Sequence, residues 1–365
     1  MAQAKKKTAH SVLDTEFNIG GVNLTQRAVF AKHLSVMLKA GITISEALEI
    51  IIDSTNGKFK KIVGGLLKSV ESGQSFSESL ARYPKIFSGI FKSAVFVGES
   101  SGTLSENLDA ISVQLEKERE LRAKVVNAML YPVVVLVAAF CLGLVIAFLV
   151  LPKITPLFLG LKVKLPLSTR ILIWLSSLLE NYGVVIFIIL AAAIFLVVWL
   201  SRQKFSHPIT HWLLLKTPLI KNIVRNLNLA RFCRTLGMLL QSGLNIDEAI
   251  RVTGESLDNY YFKQSIKGVS DSIGKGTTIS DNLATYKDLY PVMLIRMVMV
   301  GERSGKLEDS LFYLANFYEI EVDNETKSLS TSIEPILLII IGLVVAFLAL
   351  SIITPIYSIT SGIRN

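Results

Sequence analysis

The chain repeats itself at an interval of about 200 residues, and this repeat restricts its fold more than any other feature. The segment 30–48 returns as 232–250 with seven of 19 positions identical. After a one-residue shift, 73–108 returns as 276–311 with 13 of 36 positions identical. Self-similarity at a fixed interval indicates a duplicated structural unit. The sequence therefore predicts two units of one fold.

Each copy carries the signals of short helices. Apolar residues recur every three or four positions from residue 30 to residue 38, which is the spacing of one helix face. Gly41 and Gly243 then stand where a left-handed residue ends a helix, and Thr43 and Asn245 stand where a polar residue caps the next one. About six helices fit in each copy, and no run of alternating strands is present. We therefore expect two small helical bundles in an all-α protein.

Three nearly uncharged stretches are long enough to cross a bilayer. Pro132–Leu151, Tyr182–Leu200 and Ile336–Ile353 each approach ~30 Å as helices, the thickness of the hydrocarbon core. Apolar Ile171–Leu179 precedes the middle stretch, so we place the intervening Glu180 at the outer interface. Residues 171–179 then lie on the membrane surface or extend a tilted helix. The mean hydropathy of +0.51 agrees with a membrane protein that has large aqueous parts.

The N-terminus predicts the orientation. Lys5, Lys6 and Lys7 are not followed by an apolar segment of the length that a secretory signal needs, so we expect the N-terminus and both bundles in the cytosol. The loop 152–170 holds four basic residues and no acid, so the positive-inside rule does not decide the topology alone. No face is basic enough to predict nucleic-acid binding.

These signals divide the chain into eight parts. We predict a flexible N-terminal segment (1–29), a first cytosolic bundle (30–129), a first transmembrane helix (130–151), an external loop with an interfacial segment (152–181), a second transmembrane helix (182–200), a second cytosolic bundle with its repeat core from 232 (201–334), a third transmembrane helix (335–355) and a C-terminal tail (356–365).

Three motifs resemble sites of chemistry, and their context argues against each. Gly98–Gly102 fits the G-x-S-x-G pattern of hydrolases, but helices flank it and the second copy has Arg303 at the position of the nucleophile Ser100. Segment 268–276 resembles a phosphate loop with wrong spacing and no preceding strand. His207 and His211 have the spacing of metal ligands on a helix, yet Pro208 indicates the start of a helix beside the membrane. We therefore predict no catalytic residue, cofactor or metal.

Two features that both copies share are the candidate functional residues. The first is the motif Gly-Glu-x-Ser-Gly-x-Leu, which we interpret as a turn between helices whose glutamate caps a helix or contacts a partner. Its candidate residues are Gly98, Glu99 and Gly102 in the first copy and Gly301, Glu302 and Gly305 in the second. The second feature is the proline at the start of each outer span, Pro132 and Pro335, which we expect to kink the helix there.

Together these features resemble the family of type II secretion system F proteins and type IV pilus assembly platform proteins. The resemblance rests on the duplicated blocks at Phe30 and Phe232, on both Gly-Glu motifs and on Lys216-Thr-Pro-Leu219 before the second copy. It covers about residues 30 to 355. Pilus members of the family often carry a further module ahead of the first copy, where this chain has 29 residues, so the subtype of filament system stays open.

The resemblance implies a non-enzymatic platform in the bacterial cytoplasmic membrane. Its implied partners are a hexameric secretion or pilus assembly ATPase, pilins or pseudopilins, other inner-membrane assembly subunits and further copies of the chain. In this interpretation, motion of the ATPase displaces the platform, which lifts pilins from the bilayer into a filament. The alternative is a membrane receptor or scaffold that binds soluble partners without coupling to a motor.

Overall fold

The fold was derived from a computed structural model, which describes residues 22–146, 167–201, 203, 205–218, 220–274 and 276–362. Every regular element in these ranges is a helix, which agrees with the predicted all-α class. Outside the described ranges lie most of the segment predicted to be flexible (1–21), the end of the predicted first transmembrane helix (147–151), half of the predicted external loop (152–166), Lys275 of the phosphate-loop-like segment and the last three residues.

The first copy contains six helices. They are α1 (Leu24–Lys39), α2 (Ile44–Ser54), α3 (Gly57–Glu71), α4 (Phe76–Ala81), α5 (Gly89–Ser101) and α6 (Leu104–Val145). Helix α1 begins at Leu24 because the side chain of Asn23 accepts the N–H of Gln26 and the side chain of Gln26 accepts the N–H of Asn23, a reciprocal capping box. Its first six residues therefore fall in the segment that the sequence analysis assigned to a flexible N-terminus.

Among the described residues, two helices lie between the copies and six more form the second copy. They are α7 (Leu167–Ser201), α8 (His207–Lys216), α9 (Lys221–Gln241), α10 (Ile246–Ser256), α11 (Tyr260–Ile273), α12 (Ile279–Leu283), α13 (Val292–Ser304) and α14 (Leu307–Gly362), with a 3₁₀ turn at Ala284–Tyr286. Helices α9 to α14 correspond in order to α1 to α6. The shift from 202 to 203 lies in one connection, because three residues join α10 to α11 and two join α2 to α3.

The predicted helix boundaries at the first turn of each copy are confirmed. Gly41 and Gly243 have φ of +85° and +86°, in the left-handed region that ends a helix. Thr43 caps α2 by accepting the N–H of Glu46. Asn245 occupies the corresponding N-cap of α10, but its side chain makes no capping bond.

Aromatic side chains from several helices fill the centre of each bundle. In the first bundle Phe30 lies within 6.4 Å, between ring centroids, of Phe59, Phe87 and Phe91. In the second, the ring of Tyr290 contacts two buried phenylalanines edge-on, one from α9 and one from α11. Such edge-to-face pairs add to the free energy of burial. Each bundle therefore has a core of its own.

The chain forms two compact units. Unit 1 comprises the residues up to Leu121 together with Leu227–Glu319, so it holds both bundles. Unit 2 comprises Arg122–Asn226 and the residues from Ile320, so it holds the three apolar spans. Within unit 2 the Nζ of Lys124 lies 3.7 Å from the Oδ1 of Asp323, which brings α6 and α14 together.

In the part of the chain that the structure describes, three helices have the length and apolarity of membrane spans, as predicted. They are the end of α6, residues Asn181–Ser201 of α7 and the middle of α14, and only 6% of each apolar stretch is buried within the protein. Exposed apolar side chains on all faces of a helix are stable in lipid and not in water.

The helices extend beyond the predicted spans. Helix α7 is continuous from Leu167, so residues 171–179 extend the middle helix and do not form a separate interfacial segment. Glutamate and asparagine at 180 and 181 do not break a helix as glycine or proline would. Helix α14 continues to Gly362, through most of the predicted tail.

Candidate functional site

The shared motif Gly-Glu-x-Ser-Gly-x-Leu forms the turn between α5 and α6, and again between α13 and α14. Its first glycine lies where the two helices come closest. A Cβ atom at Gly98 would stand 2.8 Å from the Cα of Leu104, and one at Gly301 would stand 2.9 Å from the Cα of Leu307. Because a backbone atom cannot move aside as a side chain does, only glycine fits here without displacement of the next helix.

The second glycine of the motif reverses the chain. Gly102 and Gly305 end their helices with φ of +74° and +68°. The N–H of the next residue then donates back to the carbonyl of the first glycine, over 2.9 Å to Gly98 and 3.0 Å to Gly301. These bonds satisfy carbonyls that a helix end leaves unpaired. Both glycines therefore perform the predicted role in a turn.

The glutamate of the motif caps a different helix. The Oε1 of Glu99 accepts the N–H of Phe76 over 2.6 Å, and its Oε2 accepts the N–H of Ser77 over 2.9 Å. These two amides are at the start of α4, where N–H groups lack partners within the helix and the helix dipole favours a negative charge. Glu99 thus fastens α5 to α4.

The second copy repeats this contact with one bond more. Glu302 accepts the N–H of Ile279 over 2.5 Å and the N–H of Ser280 over 3.1 Å, and the Ser280 hydroxyl donates to the same carboxylate over 2.6 Å. Both glutamates are half-buried and bonded within the chain. Their predicted alternative role, contact with a partner, stays a prediction.

The hydrolase-like motif has no nucleophile geometry. Ser100 lies within helix α5, and its hydroxyl donates to the carbonyl of Phe96 one turn earlier over 2.9 Å. The nucleophile of that motif needs a strained turn after a strand. Most of the phosphate-loop-like segment lies in helix α11, and His207 begins α8 with its ring 5.3 Å from that of His211.

The prolines predicted at the start of the outer spans occupy the same place in their helices. Pro132 is the twenty-ninth residue of α6, and Pro335 is the twenty-ninth residue of α14. Both helices continue past the proline, although each loses one hydrogen bond because proline has no N–H. At 1.5 Å per residue α6 is about 63 Å long, roughly twice the thickness of the hydrocarbon core.

A polar cleft lies between the bundles within unit 1. Sequence reasoning missed it, because no periodic signal predicts which faces of two duplicated bundles meet. Its volume is about 380 Å³. It is lined by Lys39, Glu106, Asn107, Asp109, Ala110, Val113 and Gln114 of the first bundle and by Arg234, Met238, Gln241, Ser242 and Phe312 of the second.

Ion pairs border this cleft, one set in each bundle. Asp109 lies 2.6 Å from the Nζ of Lys32 and 3.7 Å from that of Lys39. The hydrogen bond from Lys32 lowers the pKa of the Asp109 carboxyl. At the position matching Lys32, the second bundle has Arg234, which pairs with Glu319 over 2.6 Å. With side-chain exposures of 12% for both partners, this second pair is the more buried one.

The chain matches the family model "Type II secretion system (T2SS), protein F" twice, at residues 30–152 and 232–355. It belongs to this family. The two matched ranges start and end on equivalent positions of the repeat, so each family domain comprises a bundle together with the span that follows it. Two copies of one family domain thereby explain the duplication and the paired turns. They also match the range of about residues 30 to 355 over which the resemblance was predicted.

Several curated proteins are similar over nearly the whole chain. Type IV pilus assembly protein PilC of Thermus thermophilus is 35% identical over 340 residues, 93% of this chain and 84% of the relative. Type IV pilus assembly protein TapC of Aeromonas hydrophila is 30% identical over 348 residues, 94% and 84% respectively. Type II secretion system protein F of the same species is 29% identical over 342 residues, 93% and 88%. Relatives with both kinds of name thus match to similar extents.

Proposed function

We propose that this protein is the non-enzymatic inner-membrane platform of a type IV pilus or type II secretion machine, which couples a cytosolic ATPase to the assembly of pilins or pseudopilins. The observation that carries the proposal is the membership of both copies in the protein F family, each copy being a bundle with its own span. The names of the relatives, which are pilus assembly and secretion proteins, support the same process.

The long helices suit a coupling role. Helix α6 begins inside the first bundle at Leu104 and is still helical at Val145 in the apolar stretch. Helix α14 likewise begins in the second bundle and continues through the third apolar stretch. A continuous helix is stiff, so a displacement of its bundle end is passed along its axis. Charge pairing between Lys124 and Asp323 joins the two helices before the spans.

Contacts between the bundles support a topology with both of them in the cytosol. The guanidinium of Arg231 in α9 lies 3.7 Å from the carboxylate of Glu118 in α6. Bundles that touch must be on one side of the membrane, which requires an even number of crossings between them, and the described residues there hold two candidate spans. We therefore propose a cytosolic N-terminus, an ATPase bound to the bundles, and pilins, other inner-membrane subunits and further copies of this chain in contact with the spans.

Deletion of the gene tests the platform itself. We expect loss of surface filaments or of filament-dependent secretion, with restoration by the wild-type gene. Normal filaments and secretion in the deletion strain would refute the proposal.

A pair of matched variants tests the coupling. In one, Val126 and Asn127 of α6 are both replaced by glycine, and in the control both are replaced by alanine. Each glycine weakens the helix by about 1 kcal/mol relative to alanine. We expect the glycine variant to bind the ATPase normally and to assemble few filaments, while the alanine variant assembles them. Equal assembly by both variants would favour a receptor or scaffold without motor coupling.

A further inference from the structure

The contact between the two bundles includes a pair of helices that are not equivalent in the repeat. Helix α5 of the first bundle lies against α10 of the second. A Cβ atom at Gly89 of α5 would stand 4.0 Å from the Cγ1 of Val252 in α10, which is only 3% exposed. A Cβ atom at Gly243, in the turn before α10, would stand 3.6 Å from the Cγ1 of Val97. The first copy thus contributes its fifth helix and the second copy its second helix.

The same faces with the copies exchanged are exposed. On α13, the fifth helix of the second copy, the matching residues Val292 and Val300 are 66% and 57% exposed. On α2, the second helix of the first copy, the residue that matches Val252 is Ile50, and it is 46% exposed. Within the described ranges, nothing beyond its own turn comes within 4 Å of a Cβ atom built at Gly41 before α2. The chain therefore presents one free face of each kind.

The free face of α2 is acidic. Three exposed carboxylates lie on it, those of Glu46, Glu49 and Asp53. On α10 the position of Glu49 is occupied by Arg251, which pairs with Glu248 over 2.9 Å and with Glu255 over 2.8 Å. No ion pair of the residues that the structure describes involves the three carboxylates of α2. Like charges at this spacing on a helix repel one another, so α2 favours a partner that brings cations.

The free face of α13 is apolar and basic. Five exposed side chains lie on one stripe of this helix, those of Val292, Met293, Arg296, Val300 and Arg303. At the positions of the two arginines α5 has Ser93 and Ser100, so the corresponding stripe of α5 is uncharged. The two free faces thus have opposite charges around an apolar centre. This composition is typical of a specific protein interface.

We propose that α13 of one chain binds α2 of a second copy of the chain, through the antiparallel helix contact that α5 and α10 make within the chain. Val292 then packs on Ile50. Val300 packs at the Gly41 turn, and Arg296 pairs with a carboxylate of α2. Because the two faces differ, the contact is head to tail, and it closes into a ring or continues as a row according to the angle between successive copies. The proposal goes beyond the platform role and does not depend on it.

The two contacts differ in the size of their central side chains. Val292 occupies the position of Gly89, and Ile50 occupies that of Val252. The distance between packed helices depends on the side chains at the contact. We therefore expect α13 and α2 to lie farther apart than α5 and α10, with space for the arginine side chains beside the apolar centre.

Cysteine crosslinking between two differently tagged copies tests the contact. Both copies are full-length proteins in the same lipid vesicles, with Cys141 and Cys233 replaced by alanine. One carries Ile50→Cys and the other Val292→Cys, and both sites are exposed, so neither change disturbs a core. With a short bis-maleimide, we expect the mixture to give at least five times the crosslinked product that either copy gives alone.

Lys267→Cys in place of Val292→Cys is the matched control. Lys267 is exposed on α11 of the same bundle and does not belong to α13, so it reports random collisions in the membrane. Equal crosslinking by Lys267→Cys and Val292→Cys would overturn the proposal. Crosslinking of either copy with itself at the level of the mixture would indicate a symmetric contact and would overturn it as well.

Charge reversal tests the recognition. Adding Arg296→Glu to the Val292→Cys copy should lower the crosslinking yield at least threefold, and adding Glu49→Arg to the Ile50→Cys copy should restore part of it. Lys267→Glu is the control, because it makes the same change of charge outside α13, and it should leave the yield unchanged. An Arg296→Glu yield equal to that of Lys267→Glu would overturn the proposal.

Purified vesicles separate this proposal from the platform role, because they contain no ATPase, pilin or other subunit. A crosslink in them assigns both faces to copies of this chain. If none forms there and the same cysteines in cells are linked to another protein, the faces belong to that partner and the proposal is overturned. The platform role would then still stand, since filament assembly in the deletion strain tests it independently.

Discussion

The cores of the two bundles differ at two positions that are in contact in the second bundle. The first bundle has Phe87 where the second has Tyr290. The residue equivalent to apolar Ile62 is Ser265, whose hydroxyl lies 2.8 Å from that of Tyr290. All four residues are buried. Burial raises the pKa of the Tyr290 hydroxyl, which therefore stays protonated and able to donate. The second copy has exchanged an apolar pair for a hydrogen-bonded pair in the same space.

The turns at the Gly-Glu motif, by contrast, have the same backbone geometry in both copies. Both turns have a buried glycine against the next helix, a left-handed glycine at the helix end and a glutamate on the start of a neighbouring helix. Side chains can be replaced when a compensating partner appears, whereas a close backbone contact has no substitute. The comparison therefore distinguishes the backbone contacts that the fold requires from the core positions at which each copy has its own side chains.

The largest effect is expected where the backbones are closest. Gly98→Ala and Gly301→Ala each force the next helix away and should lower the free energy of unfolding of their own bundle by about 3 kcal/mol. Hydrogen exchange of the full-length protein in nanodiscs measures this bundle by bundle. Gly64→Ala is the control, because its Cβ would meet nothing within 4 Å. Equal protection from hydrogen exchange in Gly98→Ala and Gly64→Ala would show that the close backbone contact does not require glycine.

Next come the two capping glutamates. Glu302→Ala removes three hydrogen bonds to a carboxylate and should cost about 2 kcal/mol, and Glu99→Ala, which removes two, should cost less. Faster hydrogen exchange at the start of α12 or α4 reports the loss. Glu302→Gln keeps an acceptor and should lie between the wild type and the alanine variant. An alanine effect as small as the glutamine effect would show that the cap contributes little.

Substitutions that exchange Phe87 and Tyr290 between the copies should lower the free energy of unfolding by unequal amounts. Phe87→Tyr buries a hydroxyl opposite an isoleucine and should cost about 1.5 kcal/mol, because no serine stands there to bond with it. Tyr290→Phe removes one hydrogen bond and should cost about 1 kcal/mol, since Ser265 keeps its bond to the carbonyl of Phe262. Adding Ile62→Ser to Phe87→Tyr should recover part of the loss. No recovery in this double variant would contradict the compensation.

The smallest effect concerns the ion pair of the first bundle. The hydrogen bond from Lys32 lowers the pKa of Asp109, so its stabilisation is complete above the unfolded-state value of about 3.9 and disappears as the pH falls through the lower folded value. Asp109→Asn should therefore lower the melting temperature slightly at pH 7, and the difference from the wild type should shrink towards pH 3. A difference that grows on acidification would contradict this assignment.

The sequence predicted what repeats along the chain. Both glycine turns, the six helices of each copy and the three apolar spans follow from local signals, and the structure or the family match confirms them. The capping role of Glu99 was one of two alternatives, because nothing local shows that a residue of α5 reaches the start of α4, 23 positions earlier.

The cleft could not be predicted at all. It depends on which faces of α6 and α9 meet, and the residues involved, such as Gln114 and Thr235, are 121 positions apart. Neither residue is identical to its equivalent in the other copy, His33 for Thr235 and Phe317 for Gln114, so duplication gives no signal there. The extent of α7 was left between two alternatives because a single charge at Glu180 in an apolar run is compatible with both.

Each bundle packs around its own aromatic core, and side chains of α6 and α9 bond across the contact between the bundles. Two separate polypeptides would first have to meet by diffusion at cellular concentrations to make this contact. The segment that joins the copies makes their encounter intramolecular and raises the effective concentration of each for the other. The two bundles can then stay paired for the life of the chain without relying on the strength of their contact alone.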